Sequence, residues 1–289
     1  VEQIPGGKGA NQATAAARLG AQVAMIGRVG ADQFGQSLRA SLEREGVDVS
    51  EVRTVPGVPS GLALITVEDS GQNTIVVEPG ANARLGPADV QAAEQLIAAA
   101  DVLLLQLEVP VPANLAALQI ARKYGVPVQL NPAPAPDSLP AELWQVDWLC
   151  PNETEAAKLT GLPANTPDTA VNAAITLARR GPANVLITLG KHGAVLAAHG
   201  QCHHAGTFEI QSTDATAAGD ACVAAWAVAV AEGHSTEDCM RFAAAAGAIT
   251  VSRPGASTSL PRRNAVEQLL QEQPEAARLQ RLSATHKSF

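Results

Sequence analysis

Five short apolar runs recur along the chain: AQVAMIGRVG (21–30), DVLLLQLE (101–108), PVQLNPA (127–133), DWLCPNE (147–153) and NVLITLG (184–190). Ala-rich stretches of helical character separate most of them. Their β-branched content and their alternation with helices predict a parallel sheet covered by helices, an α/β fold. One segment breaks the rhythm. Residues 61–82, GLALITVEDSGQNTIVVEPGAN, contain two alternating strands meeting at Asp69–Asn73, which predicts an exposed hairpin projecting from the sheet. From 271 onward the chain is polar and broken by Pro274, so a loosely held tail is expected over 271–289. At 289 residues, 46% of them hydrophobic, with no internal repeat and no long linker, the chain before that tail reads as one large domain, 1–270.

Charge narrows the choice of partner. A formal net charge of −8 with no Lys/Arg cluster argues against nucleic acid and for a small molecule. Ala221 to Ala231 is about half the ~20 residues that a membrane span needs. It reads as a buried helix, and no membrane partner is expected. Cys150, Cys202, Cys222 and Cys239 lack metal-finger or CxxC spacing, so reduced structural thiols are expected. The opening VEQIPGGKGANQ has neither the basic flank nor the apolar core of a signal peptide, and a cytoplasmic protein is expected.

Two stretches carry chemistry. In STDATAAGDACVAAWAVAVAEG (212–233), Ala217, Ala218 and Gly219 allow close backbone approach to a ligand. The helix that follows aims unpaired N–H groups and a partial positive charge at the turn. That combination makes an anion site, with Asp220 placed to take a proton from an attacking hydroxyl. Equally, Asp220 could be a plain N-cap on a packed Ala-rich helix. In PGGKGANQATAAARLGA (5–21), Gly6, Gly7 and Gly9 surround Lys8, and Asn11 opens a helix. This is neither a Walker loop nor a dinucleotide fingerprint. Glycine turns with a Lys and an Asn suit a polyhydroxylated ligand, although a tight structural turn would explain the segment as well.

Taken together, GGKGAN, LNPAPA, PNETE and DATAAGD, in that order, resemble the PfkB carbohydrate kinase family in its ribokinase branch, over about Gln3 to Leu270. The resemblance implies a Rossmann-like three-layer sandwich with a mostly parallel central sheet and a small β lid, the hairpin at about 59–80. It also implies ATP-dependent phosphorylation of a sugar hydroxymethyl, O5 of D-ribose in that branch. Other family members act on deoxyribose, fructose or nucleosides, and a shortened remnant that only binds nucleotide or sugar is a further reading.

Carried over by that resemblance, Asp220 is the catalytic base and Ala217, Ala218 and Gly219 form the anion hole. Gly7, Lys8, Asn11 and Glu108 contact the sugar, together with Asp220. Asn152 and Glu155 of PNETE organise Mg²⁺ indirectly near the phosphates. Asn152, with Thr188, Gly190, Lys191 and Gly193 of TLGKHG, also faces the nucleotide, as do Gly219 and Asp220. Asp214, Thr216, Thr250, Arg253, Gly255 and Ser259 form a K⁺ site, several through carbonyls. Left to their local patterns, Glu108 would be an exposed strand-end carboxylate, PNETE an ordinary helix start, TLGKHG a hairpin turn and the 250–259 segment a plain loop.

The chain departs from the family at its start, after Asp220 and at Ala244, which lies near a position where many relatives have a polar residue close to the adenine edge. The family's first strand, with an Asn-x-Asp segment whose Asp holds sugar hydroxyls, precedes GGKGAN. The resemblance therefore implies a chain short of one strand, part of the lid and one sugar-anchoring carboxylate, with the homodimer that relatives form through the lid weakened. Asp220 is followed by Ala221-Cys222 where the family commonly has Thr-Phe, which lightens the packing behind the base.

Overall fold

The structure, a computed structural model, describes residues 4–67 and 73–282. Helix α1 (Lys8–Arg18) leads to strand β1 (Gly27–Gly30), helix α2 (Gln33–Arg44) and strand β2 (Val52–Val55). The hairpin β3 (Leu62–Val67) and β4 (Asn73–Glu78) follows, then two short helices, α3 (Pro87–Ala92) and α4 (Glu94–Ala98). The turn of that hairpin, apart from Asn73, lies outside the described residues. Strand β5 (Leu103–Leu105), helix α5 (Val111–Tyr124), strand β6 (Val128–Leu130), strand β7 (Trp148–Leu149) and helix α6 (Glu153–Thr160) come next. Helix α7 (Pro167–Ala178) precedes strands β8 (Asn184–Thr188), β9 (Ala194–Ala198) and β10 (Gln201–Ala205). Helices α8 (Ala218–Ala231), α9 (Thr236–Val251) and α10 (Arg263–Glu272) and strand β11 (Leu279–Leu282) complete the described chain.

Seven strands form the central sheet in the order β11-β10-β9-β8-β7-β6-β5. β5 to β8 run parallel, and β8 to β11 pair antiparallel. The period of two along a strand sorts its side chains between two cores. Val185 and Ile187 of β8, with Val195 and Ala197 of β9, face a core shared with Leu118 of α5, Leu159 of α6 and Leu177 of α7. Leu186, Leu196 and Ala198 face the other, shared with Leu19, Trp226 of α8, Met240 of α9 and Val266 of α10. Helices on both faces of the sheet give the expected three layers.

The sequence reading and the structure differ at three points. The first apolar run supplies β1, which pairs with β2 in a separate two-stranded sheet and not with the central one. A third, small core of Ala13, Val29, Leu42, Val47, Val49 and Val52 holds this pair against α1 and α2. The polar stretch from 271, expected to be loosely held, supplies the last turn of α10 and then β11, which pairs with β10 from Leu279 to Leu282. At this edge both faces are only partly covered: Leu279 and Leu282 pack toward opposite cores, while Gln280 and Arg281 stay exposed; residues 283–289 lie outside the described residues. Finally, the helix after the Ala-Ala-Gly turn is capped by Ala217, and Asp220 is its third residue. The N-cap reading of Asp220 is therefore corrected.

The hairpin stands clear of the body, with Leu64, Val76 and Val77 57%, 61% and 62% exposed. Its base is tied down by Asp32, the N-cap of α2. One Asp32 oxygen accepts from Gly35 N at 2.7 Å and Ser60 Oγ at 2.6 Å, and the other from Ser60 N at 2.7 Å.

Candidate active site

The carboxyl ends of the parallel strands and the starts of α1 and α8 converge, the place where open α/β sheets hold ligands. α1 begins at Gly7, whose φ of +98° is a conformation that suits glycine. A side chain at Gly7 would also reach to 3.7 Å from Glu108 Oε2. That same oxygen accepts the backbone N–H of Lys8 at 2.7 Å. Glu108, which follows β5, thus satisfies one of the orphan donors of the α1 N-terminus and is half-buried there. Burial pushes its carboxyl up, and the Asp220 charge adds to this; the Lys8 amide and ammonium pull the other way.

Asp220, 7% exposed, turns away from its own helix. Its Oδ2 accepts from Asn11 Nδ2 at 2.9 Å and its Oδ1 from Gln12 Nε2 at 3.1 Å. Burial raises its pKa against the Lys8 charge and these two donors. A buried carboxylate kept by neutral amides and one nearby cation is suited to accept a proton. Gly7, Lys8, Asn11, Glu108 and Asp220, read from distant parts of the sequence, are therefore neighbours.

At the mouth of α8, Ala217 sits at φ 61°, ψ 3°, left-handed backbone that L-residues rarely adopt. This turns the chain so that the amides of Gly219 and Asp220, which have no acceptor within the helix, open outward. A Cβ at Gly219 would meet nothing within 4 Å. Strain of this kind persists where the surroundings enforce it, here through Ala221 N bonding Ala217 O at 2.9 Å.

Asn152 and Glu155 form a reciprocal capping box on α6: Glu155 N donates to Asn152 Oδ1 at 2.8 Å, and Asn152 N to Glu155 Oε2 at 2.9 Å. Glu155 is 8% exposed, and burial raises its pKa; the Lys8 charge opposes the rise and the Asp220 charge adds to it. The capping box thus also brings a carboxylate within electrostatic reach of Asp220. Asn152 bridges Thr188 at the end of β8, whose amide donates to Pro151 O at 3.1 Å. After Thr188 comes a hairpin turn: β8 and β9 are antiparallel, and Gly193 packs so closely that a Cβ would lie 2.0 Å from Ala205 O. Glycine at 193 is thus required by protein packing alone. Gly190, at φ +52°, has open space instead, and Lys191 is exposed. Among the described residues no hydrogen bond joins this turn to the Asp220 cluster.

Asp214 ties together the two segments assigned to a cation. Its Oδ1 accepts from Thr216 N and Oγ1 at 2.9 and 2.7 Å, and its Oδ2 from Gly255 N at 2.9 Å. Burial works against its charge, but these donors outweigh it and hold the carboxyl below its usual range. Thr250 and Ser259 are fully buried, and their hydroxyls donate to Ala246 O and Ala256 O, which leaves oxygen lone pairs available. The Arg253 side chain is exposed and its amide donates to Thr250 O at 3.2 Å. An ionised carboxylate among hydroxyl and carbonyl oxygens is a donor set that fits a hard monovalent cation.

Three polar residues not singled out from the sequence complete the cluster: Gln12, Gln106 and Asn131. Gln12 donates to Asn131 Oδ1 as well as to Asp220, and accepts from Gln106 Nε2 at 2.5 Å. The available signal was polarity out of place: Gln12 inside an Ala-rich helix, Gln106 and Asn131 at the ends of apolar runs.

Residues 1–263 match the pfkB family of carbohydrate kinases. The chain is 41% identical to the ribokinase of Haemophilus influenzae over 266 residues, covering 92% of this chain and 87% of that protein. It is 36% identical to the deoxyribokinase of Salmonella typhi, covering 89% of this chain and 84% of that one. Among solved structures, Arabidopsis thaliana ribokinase complexed with ribose and ATP superposes with a TM-score of 0.85 at 37% identity, covering 92% of this chain and 87% of that one.

Proposed function

The chain belongs to the pfkB carbohydrate kinase family, and from that membership we propose that it transfers the γ-phosphoryl group of ATP to O5 of D-ribose, giving ribose 5-phosphate and ADP. The observation that carries this reading is the enclosed Asp220 carboxylate, set at the open N-terminus of α8 and ringed by Asn11, Lys8 and Glu108. Gly7, Lys8, Asn11 and Glu108 orient the sugar through its hydroxyls, with the glycine letting the backbone come close. Asp220 takes the O5 proton as O5 attacks the γ-phosphorus, and the bond from that phosphorus to the β-phosphate oxygen breaks. The transferring phosphoryl lies against Ala217, Ala218 and Gly219, where the α8 amides and dipole favour its negative charge. Asn152, Thr188, Gly190, Lys191 and Gly193 form the nucleotide side, with Gly219 and Asp220 at its inner end. Mg²⁺ bound with ATP would neutralise phosphate charge; Glu155 and Asn152 are the residues we assign to it, through its waters.

Deoxyribose is the competing substrate, given the similarity to a deoxyribokinase. A site built to hydrogen-bond a hydroxyl discriminates against the sugar that lacks it, so kcat/KM for ribose is expected to exceed that for 2-deoxyribose by at least about tenfold. NMR of the product should place the new phosphate on O5. A higher kcat/KM for deoxyribose or fructose, or turnover of no sugar, would overturn the assignment.

Asp214, Thr216, Thr250, Arg253, Gly255 and Ser259 are assigned to K⁺, which would hold the loop before α8 against the 250–259 loop. Exchange of K⁺ for Na⁺ at constant ionic strength is then expected to lower turnover, because a site of this kind selects by cavity size and ligand number. Equal rates in the two salts would remove the cation from the account.

We further assign the described chain through β11 to one kinase domain, with the hairpin as its lid. The uncovered apolar residues Leu62, Leu64, Val76 and Val77 support pairing of two lids in a homodimer. Four free, buried cysteines support a reducing, cytoplasmic setting.

A further inference from the structure

We propose that Gln12 is a positioning residue for phosphoryl transfer: its side-chain amide holds Asp220 in the orientation and the ionised state in which it accepts the sugar proton. The proposal rests on the sugar-kinase reading above and adds to it a residue that touches neither sugar nor nucleotide in that reading. Gln12 is 1% exposed on α1, and all of its amide hydrogen-bonding groups are engaged. Nε2 donates at 3.1 Å both to Asp220 Oδ1 and to Asn131 Oδ1, while Oε1 accepts Gln106 Nε2 at 2.5 Å. Turning the amide over would set its oxygen against the Asp220 carboxylate and its N–H against another N–H, so only one orientation is satisfied.

The two groups that fix this amide are themselves fixed. The Gln106 backbone carbonyl accepts Asn114 Nδ2 at 2.8 Å, and Asn131 Nδ2 donates to Cys150 O at 2.8 Å. The ends of β5, β6 and β7 therefore hold Gln12, and Gln12 holds an aspartate that its own helix does not. The other bond to Asp220 comes from Asn11, which the proposed function also assigns to the sugar and which must share its donors when the sugar enters. Gln12 carries no such second duty, so its bond persists through binding.

The charged groups facing Asp220 are Lys8 from α1, Glu108 after β5 and Glu155 from α6. Lys8 favours the ionised carboxyl; the two carboxylates and burial oppose it. The Gln12 N–H aimed at Oδ1 therefore adds to the groups that favour the ionised form, against burial.

The test is Gln12→Met, which keeps side-chain length and removes both donors. Measurements are kcat, KM for the sugar, the acid limb of kcat/KM, and the Asp220 pKa read by NMR on protein carrying ¹³C-labelled aspartate, the resonance being identified by its loss in Asp220→Asn. Expected are a kcat lower by roughly tenfold or more, an almost unchanged KM, and an Asp220 pKa raised by about one unit in both readouts. A kcat that falls with the Asp220 pKa unmoved would make Gln12 merely structural, and an unchanged kcat would overturn the proposal outright. If Gln12→Met does not fold, Gln106→Met is read instead: it frees the Gln12 amide to turn, and the same shifts are expected at smaller size, their absence being equally decisive. Should the wild-type enzyme turn over no sugar while the NMR pKa still rises, the kinase reading fails and the hold of Gln12 on Asp220 stands. An active wild type with an unmoved pKa sinks this proposal alone.

Discussion

Asp220→Asn is expected to lower kcat by at least ~100-fold, the usual contribution of a positioned general base, while the protein stays folded and binds ATP nearly as before. The amide has the shape of the carboxylate but cannot take the proton from O5. It need not break the local network, because Asn11 Oδ1 is buried with no partner among the described residues. Rotation of the Asn11 amide would offer that oxygen to the new N–H, while Gln12 keeps its bond to the remaining carbonyl oxygen.

Stability should move the opposite way from activity. Burial raises the folded-state pKa of Asp220 above its unfolded value. The native state therefore binds the proton more tightly, and the carboxylate's cost to folding sets in as pH rises from the unfolded value through the folded one. Once the pH is above the folded-state value the cost is fully present, so there Asp220→Asn should melt at the same temperature or higher. The difference should narrow as pH falls toward the ordinary aspartate pKa of about 3.9. For the same reason, the acid limb of kcat/KM in the unmodified enzyme should lie above the ordinary carboxylate range. Unimpaired turnover in the variant would remove Asp220 from the role of base. A clear drop in its Tm at a pH above the folded-state value would show that the buried charge is not a cost.

The second large effect is on stability, at Trp226→Ala. Trp226 is fully buried in α8, and its ring meets Trp148 edge-on, centroids 5.0 Å apart at 64°. Removing a fully buried Trp side chain costs about 3–5 kcal/mol. In a domain of this size that corresponds to a Tm lower by roughly 10 °C. The indole Nε1 is buried with no partner among the described residues, so the ring contributes here through packing and not through a hydrogen bond. Trp226→Phe, which keeps an aromatic ring and removes the unpaired N–H, is therefore expected to cost far less. Calorimetry of the two variants checks the pair. Equal losses for Phe and Ala would refute the packing account, and a loss below 1 kcal/mol for Ala would mean that the site collapses around the gap. Because α8 also carries the turn at Ala217, the Ala variant should lose turnover even at temperatures where it is folded.

Much of this was legible in the order of residues. Short runs of Val, Ile and Leu between Ala-rich stretches identify buried strands and covering helices, because side-chain periodicity is a local property of the backbone. Glycines around Lys8 and the Ala-Ala-Gly turn before Asp220 pointed locally to a ligand site, since each motif lies within a few bonds of itself, whereas PNETE alone reads as a helix start and became a candidate only through the family resemblance.

What the tertiary structure decided is everything that depends on distant partners. No local pattern says that β1 pairs with β2 and not with the central sheet, or that a polar stretch near 280 becomes an edge strand, because a ladder is chosen by which edge is free. Nor could Asp220 be separated from a helix cap until its bonds were seen to run to Asn11 and Gln12, more than two hundred residues away. Gln12, Gln106 and Asn131 looked individually like polar residues in the wrong company. They make sense only once three strand ends and two helix starts meet, since a buried amide is tolerated only where its hydrogen bonds are met, and here the partners come from five separate elements.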